Sequence, residues 1–299
     1  MERSGAGTMD IKAIALGLIF AVMWSSAFAS ARIILLDAPP LWSLALRFLI
    51  SGGLAVLVAR LLGQDWRLPR PQARAVVIFG LCQNALYLGL FFIALQRIEA
   101  SLASIIASSM PLIVAGLGRV LRGERLSPLG LAGMFAGFTG VALIMGSRIE
   151  AGADPLSVAL CVIGATALAV ATLTVRGASA GGNLLMVVGL QMLVGSVALT
   201  LVAMAMEPLH VTLTARLAVA FAYQIVVPGL TATLIWFSLV GRIGAVKASA
   251  FHFLNPFFGV LIASMLLGEK ISLLDMVGVA VATAGILAVQ MARMGRAAT

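Results

Sequence analysis

The 299-residue chain is 62% hydrophobic and only 10% charged, against roughly 45–50% and 25% for a soluble domain, which excludes a soluble globule. Its formal net charge of +9 would suit a nucleic-acid partner only if the basic residues formed a patch. They are instead scattered through short connections, so the expected partner is a lipid bilayer.

Apolar runs of bilayer-spanning length, about 20 residues, recur almost end to end. They lie at approximately 11–35, 41–62, 74–96, 99–121, 128–147, 156–176, 184–206, 216–240, 244–267 and 273–292. Runs this long without strict alternation are helices, because lipid satisfies no open backbone. The expected fold class is therefore an all-α polytopic membrane protein with ten transmembrane helices.

In the first run, Lys12, an apolar stretch and "AFASA" imitate a secretory signal, but the run outlasts the roughly 7–15 residues of a signal core and reads as helix 1. Arg47 lies several residues inside the second run. Either it snorkels to the outer interface or it attracts a substrate carboxylate. Cys82 and Cys161 stand alone inside runs, with neither disulfide nor metal-ligand spacing.

Of the 20 Lys and Arg residues, five (Arg32, Arg97, Arg148, Arg216 and Lys270) fall on one side of the alternating spans. Fourteen fall on the other. The positive-inside rule then puts both termini in the cytoplasm. Seventeen arginines against three lysines point to a GC-rich bacterial genome, and the expected location is the bacterial inner membrane.

An internal repeat organises the chain. At an offset of 145 residues, Arg97 matches Arg242, Ser104 matches Ser249, and Pro111 matches Pro256. Gly123-Glu124 likewise matches Gly268-Glu269, and Ser127, Gly133 and Gly140 match Ser272, Gly278 and Gly285. Residues 1–150 and 151–299 thus hold five crossings each. Because five is odd, the second copy enters the membrane upside down, a recurrent plan of secondary transporters.

"MWSSAFASARI" in helix 1, "LWSLALRFLISG" in helix 2, and the twice-occurring Pro followed by Gly-Glu-[basic]-[Leu/Ile]-Ser resemble the drug/metabolite transporter superfamily, EamA type. Within it the chain is similar to the ten-helix bacterial amino acid exporters of the YddG type. The resemblance implies export of small metabolites through a central cavity. Met110 and Asn255 precede the two prolines where such exporters carry other residues, which leaves the substrate open.

The polar residues inside the runs are candidates for that cavity. Pro111, Pro228 and Pro256 lack the amide that closes a helical turn, so they mark bends beside an interior space. Residues three and four apart share a helix face. His252 with Asn255, Gln83 and Asn84 with Tyr87, Gln224, and Ser108 at the end of a serine stripe are read as polar faces that converge. Trp24 and Trp236 add aromatic surfaces for a substrate ammonium. The bland reading is that such groups merely bond across to neighbouring helices.

The glycine lines "GLAGMFAGFTG" and "GVAVATAG" read as packing or dimer surfaces, compatible with a monomer or weak homodimer. Glu124 and Glu269 read as helix caps or gate pairs. All eleven acidic residues lie in tails, loops or helix ends, so no mid-membrane carboxylate is available to carry protons. Facilitated export is expected, with no cofactor and no metal. No zinc helix, nucleophile elbow or phosphate loop is present to suit the remote alternative of an intramembrane enzyme. A closer alternative keeps the fold and moves multidrug or lipid-linked cargo.

Overall fold

A bilayer interior forces each apolar run to close its amides on itself. The computed structural model describes residues 11–122, 127–174, 183–243, 248 and 250–297, and in it the runs become α1 (Ile11–Ile34), α2 (Pro40–Leu61), α3 (Arg70–Phe79, Gly80–Tyr87 and Leu88–Ala94), α4 (Ala100–Ser108 and Met110–Arg122), α5 (Pro128–Glu150), α6 (Pro155–Thr174), α7 (Leu184–Met206), α8 (Ala215–Gln224, Ile225–Thr231 and Ala232–Ile243), α9 (Ala250–Leu254 and Asn255–Leu267) and α10 (Leu273–Ala297). Among the described residues nine spans are long and apolar enough to cross a membrane, and Phe251–Leu267 is a shorter apolar helix. The chain is an all-α polytopic membrane protein. Gly123, Glu124, Ser249 and both chain ends lie outside the described residues.

The helix ends are set by local chemistry. Proline opens α2, α5 and α6, where its missing amide costs nothing and its fixed φ suits the first turn. The Ser127 hydroxyl accepts from Gly130 N at 3.2 Å and Thr214 Oγ1 from Leu217 N at 3.0 Å. At α10, Ser272 Oγ accepts from Asp275 N at 3.1 Å while Asp275 Oδ2 accepts from Ser272 N at 2.8 Å, a reciprocal cap. Gly268, at φ 68°, supplies the left-handed residue that ends α9.

Each of the three prolines sits at an interruption. Pro228 lies within the π-helical turn Ile225–Thr231, Pro111 follows the break at Ser109, and Pro256 follows the 3-10 turn Ala250–Leu254. α3 carries a π-helical stretch, Gly80–Tyr87, that contains no proline.

Polarity is reversed relative to a soluble protein. Leu46, Leu49, Leu57, Phe135 and Leu201 are exposed, whereas Ser25, Ser30, Ser51, Asn84, Ser104 and Gln224 are buried. With lipid as apolar as leucine, helices associate by close packing of small residues and by polar contacts. A Cβ on Gly133 would lie 2.6 Å from Ala288 Cβ, and one on Gly140 would lie 2.6 Å from Ala282 N. The glycine lines of α5 and α10 therefore face each other within one chain. On α2, a Cβ at Gly52 would come within 2.9 Å of the Gly189 carbonyl on α7.

The principal pairings are α1 with α8 and α9, α6 with α3 and α4, α2 with α7, α4 with α9, α5 with α10, α3 with α7, and α8 with α2. α9 with α10, α4 with α5, α2 with α3 and α1 with α4 also meet, and most of these pairings recur when each helix is exchanged for the one five positions away, α2–α3 and α1–α4 being without a counterpart of like extent. Such a pattern is compatible with a duplicated chain.

Candidate functional site

A narrow cavity, about 440 Å³ when the part open to solvent is included, lies between α1, α2, α3 and α8. α1 contributes Trp24 and Phe28, α3 contributes Tyr87, Phe91 and Phe92, α2 contributes Arg47, and α8 contributes Gln224 and Pro228. The aromatic walls suit a ligand with an apolar body.

Four of the sequence-derived residues, Trp24, Tyr87, Gln224 and Pro228, meet here. Gln224 is fully buried; its Nε2 donates to the Ala27 carbonyl at 2.6 Å and to Ser30 Oγ at 2.9 Å, while its Oε1 has no hydrogen-bond partner.

Trp236, His252 and Asn255 lie in an adjoining cluster, not in the cavity wall. His252 is ringed by Phe20, Trp24 and Trp236 at centroid distances of 5.3, 6.1 and 5.2 Å. Its Nδ1 lies 2.9 Å from Asn255 Nδ2. The Asn255 carbonyl accepts from Ser25 Oγ at 3.3 Å and Ser104 Oγ at 3.4 Å, tying α1, α4 and α9 together. Trp24 belongs to both groups: one wall of the cavity and one edge of the aromatic cluster.

The expected convergence of all polar faces on one space does not occur. Asn84 Nδ2 donates to the Gln191 carbonyl at 2.9 Å and packs on Gly195, so it cross-links α3 to α7. Gln83 is half-buried and outside the cavity lining. Ser108 Oγ donates back to the Ser104 carbonyl at 2.6 Å, as serines in membrane helices do when a turn offers the nearest acceptor. Pro111 and Pro256 interrupt their helices without lining the cavity.

Arg47 departs from the snorkelling reading. It is 6% exposed and points into the bundle, its guanidinium carbon 5.2 Å from the centroid of the Phe48 ring. Its Nε has no hydrogen-bond partner, and among the described residues no carboxylate pairs with it. Spacing marked Arg47 as intramembrane but carried no information on which way α2 is rotated.

Carboxylates gather at the helix ends instead. Glu269 accepts from Ala100 N at 2.7 Å and Ser101 N at 3.0 Å, capping α4. Arg148 bridges Glu99 and Asp275, the latter at 2.8 Å. Glu207 Oε2 accepts from Leu41 N at 2.9 Å at the start of α2, and Asp37 pairs with Arg216 at 2.7 Å. Burial pushes the carboxyls of Glu99 and Glu207 above the usual carboxylate range, in spite of the Arg148 guanidinium and the backbone amides. Hydrogen bonds from Arg216 and Thr214 hold Asp37 below it.

Comparison with known proteins agrees with this architecture. A sequence model of the EamA-like transporter family matches residues 11–146 and again residues 155–291. The uncharacterized transporter YvbV of Bacillus subtilis (strain 168) is 27% identical over 254 residues, 84% of this chain and 83% of that protein. The aromatic amino acid exporter YddG of Ancylobacter novellus is 32% identical over 151 residues, 50% of this chain and 48% of its own. A solved crystal structure superposes with a TM-score of 0.68 at 21% identity over 96% of this chain and 99% of the other, a likeness of fold.

Proposed function

Because the chain belongs to the EamA-like transporter family, we propose that it exports small amphiphilic metabolites, foremost amino acids with aromatic or other neutral side chains, by alternating access. The observation that carries this reading is the cavity between α1, α2, α3 and α8, with aromatic walls and a few unpaired polar atoms. Residues 1–150 and 151–299 are its two halves, mounted upside down relative to each other. The double match to the family model supports them. Two similar halves can exchange shapes and open one site to each side in turn. The protein works in a bacterial inner membrane with both termini in the cytoplasm.

In this reading Trp24, Tyr87 and Gln224 contact the cargo. Trp236, His252 and Asn255 form the seal beside it, which loosens when the site changes side. Gln83, Asn84 and Ser108 hold the surrounding helices. Transport runs down the metabolite gradient, since no acidic residue lies mid-membrane.

The test is counterflow of radiolabelled amino acids in liposomes containing the purified protein. Saturable exchange of one or more neutral amino acids is expected, with no uphill accumulation when a pH gradient is imposed. Absence of saturable exchange across a complete amino acid panel would refute the cargo assignment, and proton-driven accumulation would refute facilitation.

One observation favours a second cargo class. A groove of about 590 Å³ between α2, α7 and α8, lined by Leu62, Leu184, Leu185, Val188, Leu230 and Leu234 among others, is apolar and borders exposed residues such as Leu62 and Leu234. Such a groove suits an acyl chain or a lipophilic drug entering sideways from lipid. Scrambling of a fluorescent lipid by the reconstituted protein, without amino acid exchange, would select this reading.

A further inference from the structure

Six buried side-chain atoms among the described residues have no hydrogen-bond partner, and three of them cluster where α2 faces α8: Arg47 Nε, Ser51 Oγ and Gln224 Oε1. Arg47 and Gln224 both line the cavity. Arg47 Nη2 and Ser51 Oγ also flank Gly229, at 3.8 and 3.5 Å from where a side chain would begin. The Gln224 carbonyl oxygen lies closer still, at 2.9 Å, so a side chain at 229 would meet backbone.

A buried guanidinium without a counter-charge is costly. Taking an ion out of water carries a large penalty, which is offset only by good pairing. The Phe48 face 5.2 Å away offers only a cation–π contact, too little to balance it. The arrangement is incomplete without an anion. Arginine is the side chain whose planar fork matches a carboxylate through two parallel hydrogen bonds. In the lining of the same cavity, Gln224 Oε1 is an acceptor with nothing to accept, as an ammonium group requires. Its own Nε2, committed to Ala27 and Ser30, fixes the amide so that the oxygen is the free end.

Resting on the transport reading above, we infer that the cavity selects cargo by its carboxylate, held by Arg47, and that Gln224 Oε1 takes the ammonium group of a zwitterion while the side chain lies against Trp24 and the α3 aromatics. An aromatic amine without a carboxylate lacks the group that neutralises Arg47 and is rejected.

Binding to the purified full chain in detergent, followed by isothermal titration, tests this with three ligands of one shape: L-phenylalanine, phenethylamine and 3-phenylpropionate. The unaltered protein is expected to bind L-phenylalanine at least about tenfold tighter than phenethylamine, and R47Q is expected to erase that ratio while R47K keeps part of it. Gln224→Leu is expected to narrow the preference for L-phenylalanine over 3-phenylpropionate. Equal binding of L-phenylalanine and phenethylamine by the unaltered protein overturns the inference, as does a ratio unchanged in R47Q or no binding of either carboxylate ligand. If R47Q fails to fold, the unaltered protein and R47K decide. Should 3-phenylpropionate bind and cross the bilayer while no amino acid does, the Arg47 site stands and the amino acid reading fails; should phenethylamine cross as readily as L-phenylalanine, transport stands and the Arg47 site fails.

Discussion

Two carboxylates at the ends of helices respond to pH in opposite senses. Glu207 is raised by burial, so its contribution to stability is full below the ordinary value of about 4.3 and is lost as pH rises through its higher folded value. Asp37 is lowered by Arg216 and Thr214; its contribution is present above the ordinary value of about 3.9 and is lost as pH falls through its lower folded value. Thermal unfolding in detergent is therefore expected to show Glu207→Gln gaining on the parent as pH rises above about 4.3. Asp37→Asn is expected to lie below the parent at neutral pH, with the gap closing in acid. A Glu207→Gln curve parallel to the parent across that range would contradict the assignment.

At the scale of single helices, stability rests on glycine seams. A Cβ at Gly140 would intrude on the α10 backbone at Ala282 and one at Gly133 on Ala288, and overpacking of this kind costs roughly 1–3 kcal/mol. Gly140→Ala is expected to lower the midpoint of thermal unfolding by several degrees, as read from the loss of monodisperse protein on size exclusion after heating. Gly146→Ala, six residues on with nothing within 4 Å of its Cβ position, is expected to leave the midpoint unaltered.

The helices themselves were legible in the sequence because span length is a direct consequence of bilayer thickness, and the interruptions at Pro111, Pro228 and Pro256 because a missing amide has a fixed effect. Helix rotation was not. Spacing puts His252 and Asn255 on one face, but which neighbour that face meets depends on how small residues let α1, α4 and α9 approach. His252 meets the rings of Phe20, Trp24 and Trp236, and the Asn255 carbonyl meets two serine hydroxyls. The π-helical stretch of α3 carries no proline to announce it, and it changes the direction of Asn84 relative to Tyr87, sending one to α7 and the other to the cavity.

For the molecule as a whole, the proposed ten crossings imply that both ends of the chain face one side and the α7–α8 connection the other. In intact cells a cysteine introduced at residue 212, between α7 and α8, is expected to react with a membrane-impermeant maleimide, whereas one introduced at residue 298 reacts only after permeabilisation. The reverse pattern would invert the orientation. The same scale explains why the candidate site was only partly readable: Arg47, Tyr87, Trp24 and Gln224 come from four helices separated by up to two hundred positions, and only the packed bundle brings them together.

The unpaired guanidinium of Arg47 has an electrical consequence. A fixed positive charge embedded in the bundle feels the membrane field, worth about 2.3 kcal/mol per unit charge per 100 mV for a complete crossing, but it returns to its starting place in every cycle and does no net work. A zwitterion adds nothing to that account, so the concentration ratio at which net flux stops is expected to be the same under a potassium–valinomycin clamp of either sign. A monoanionic arylpropionate riding the same site would carry current, and its stopping ratio would follow the clamp.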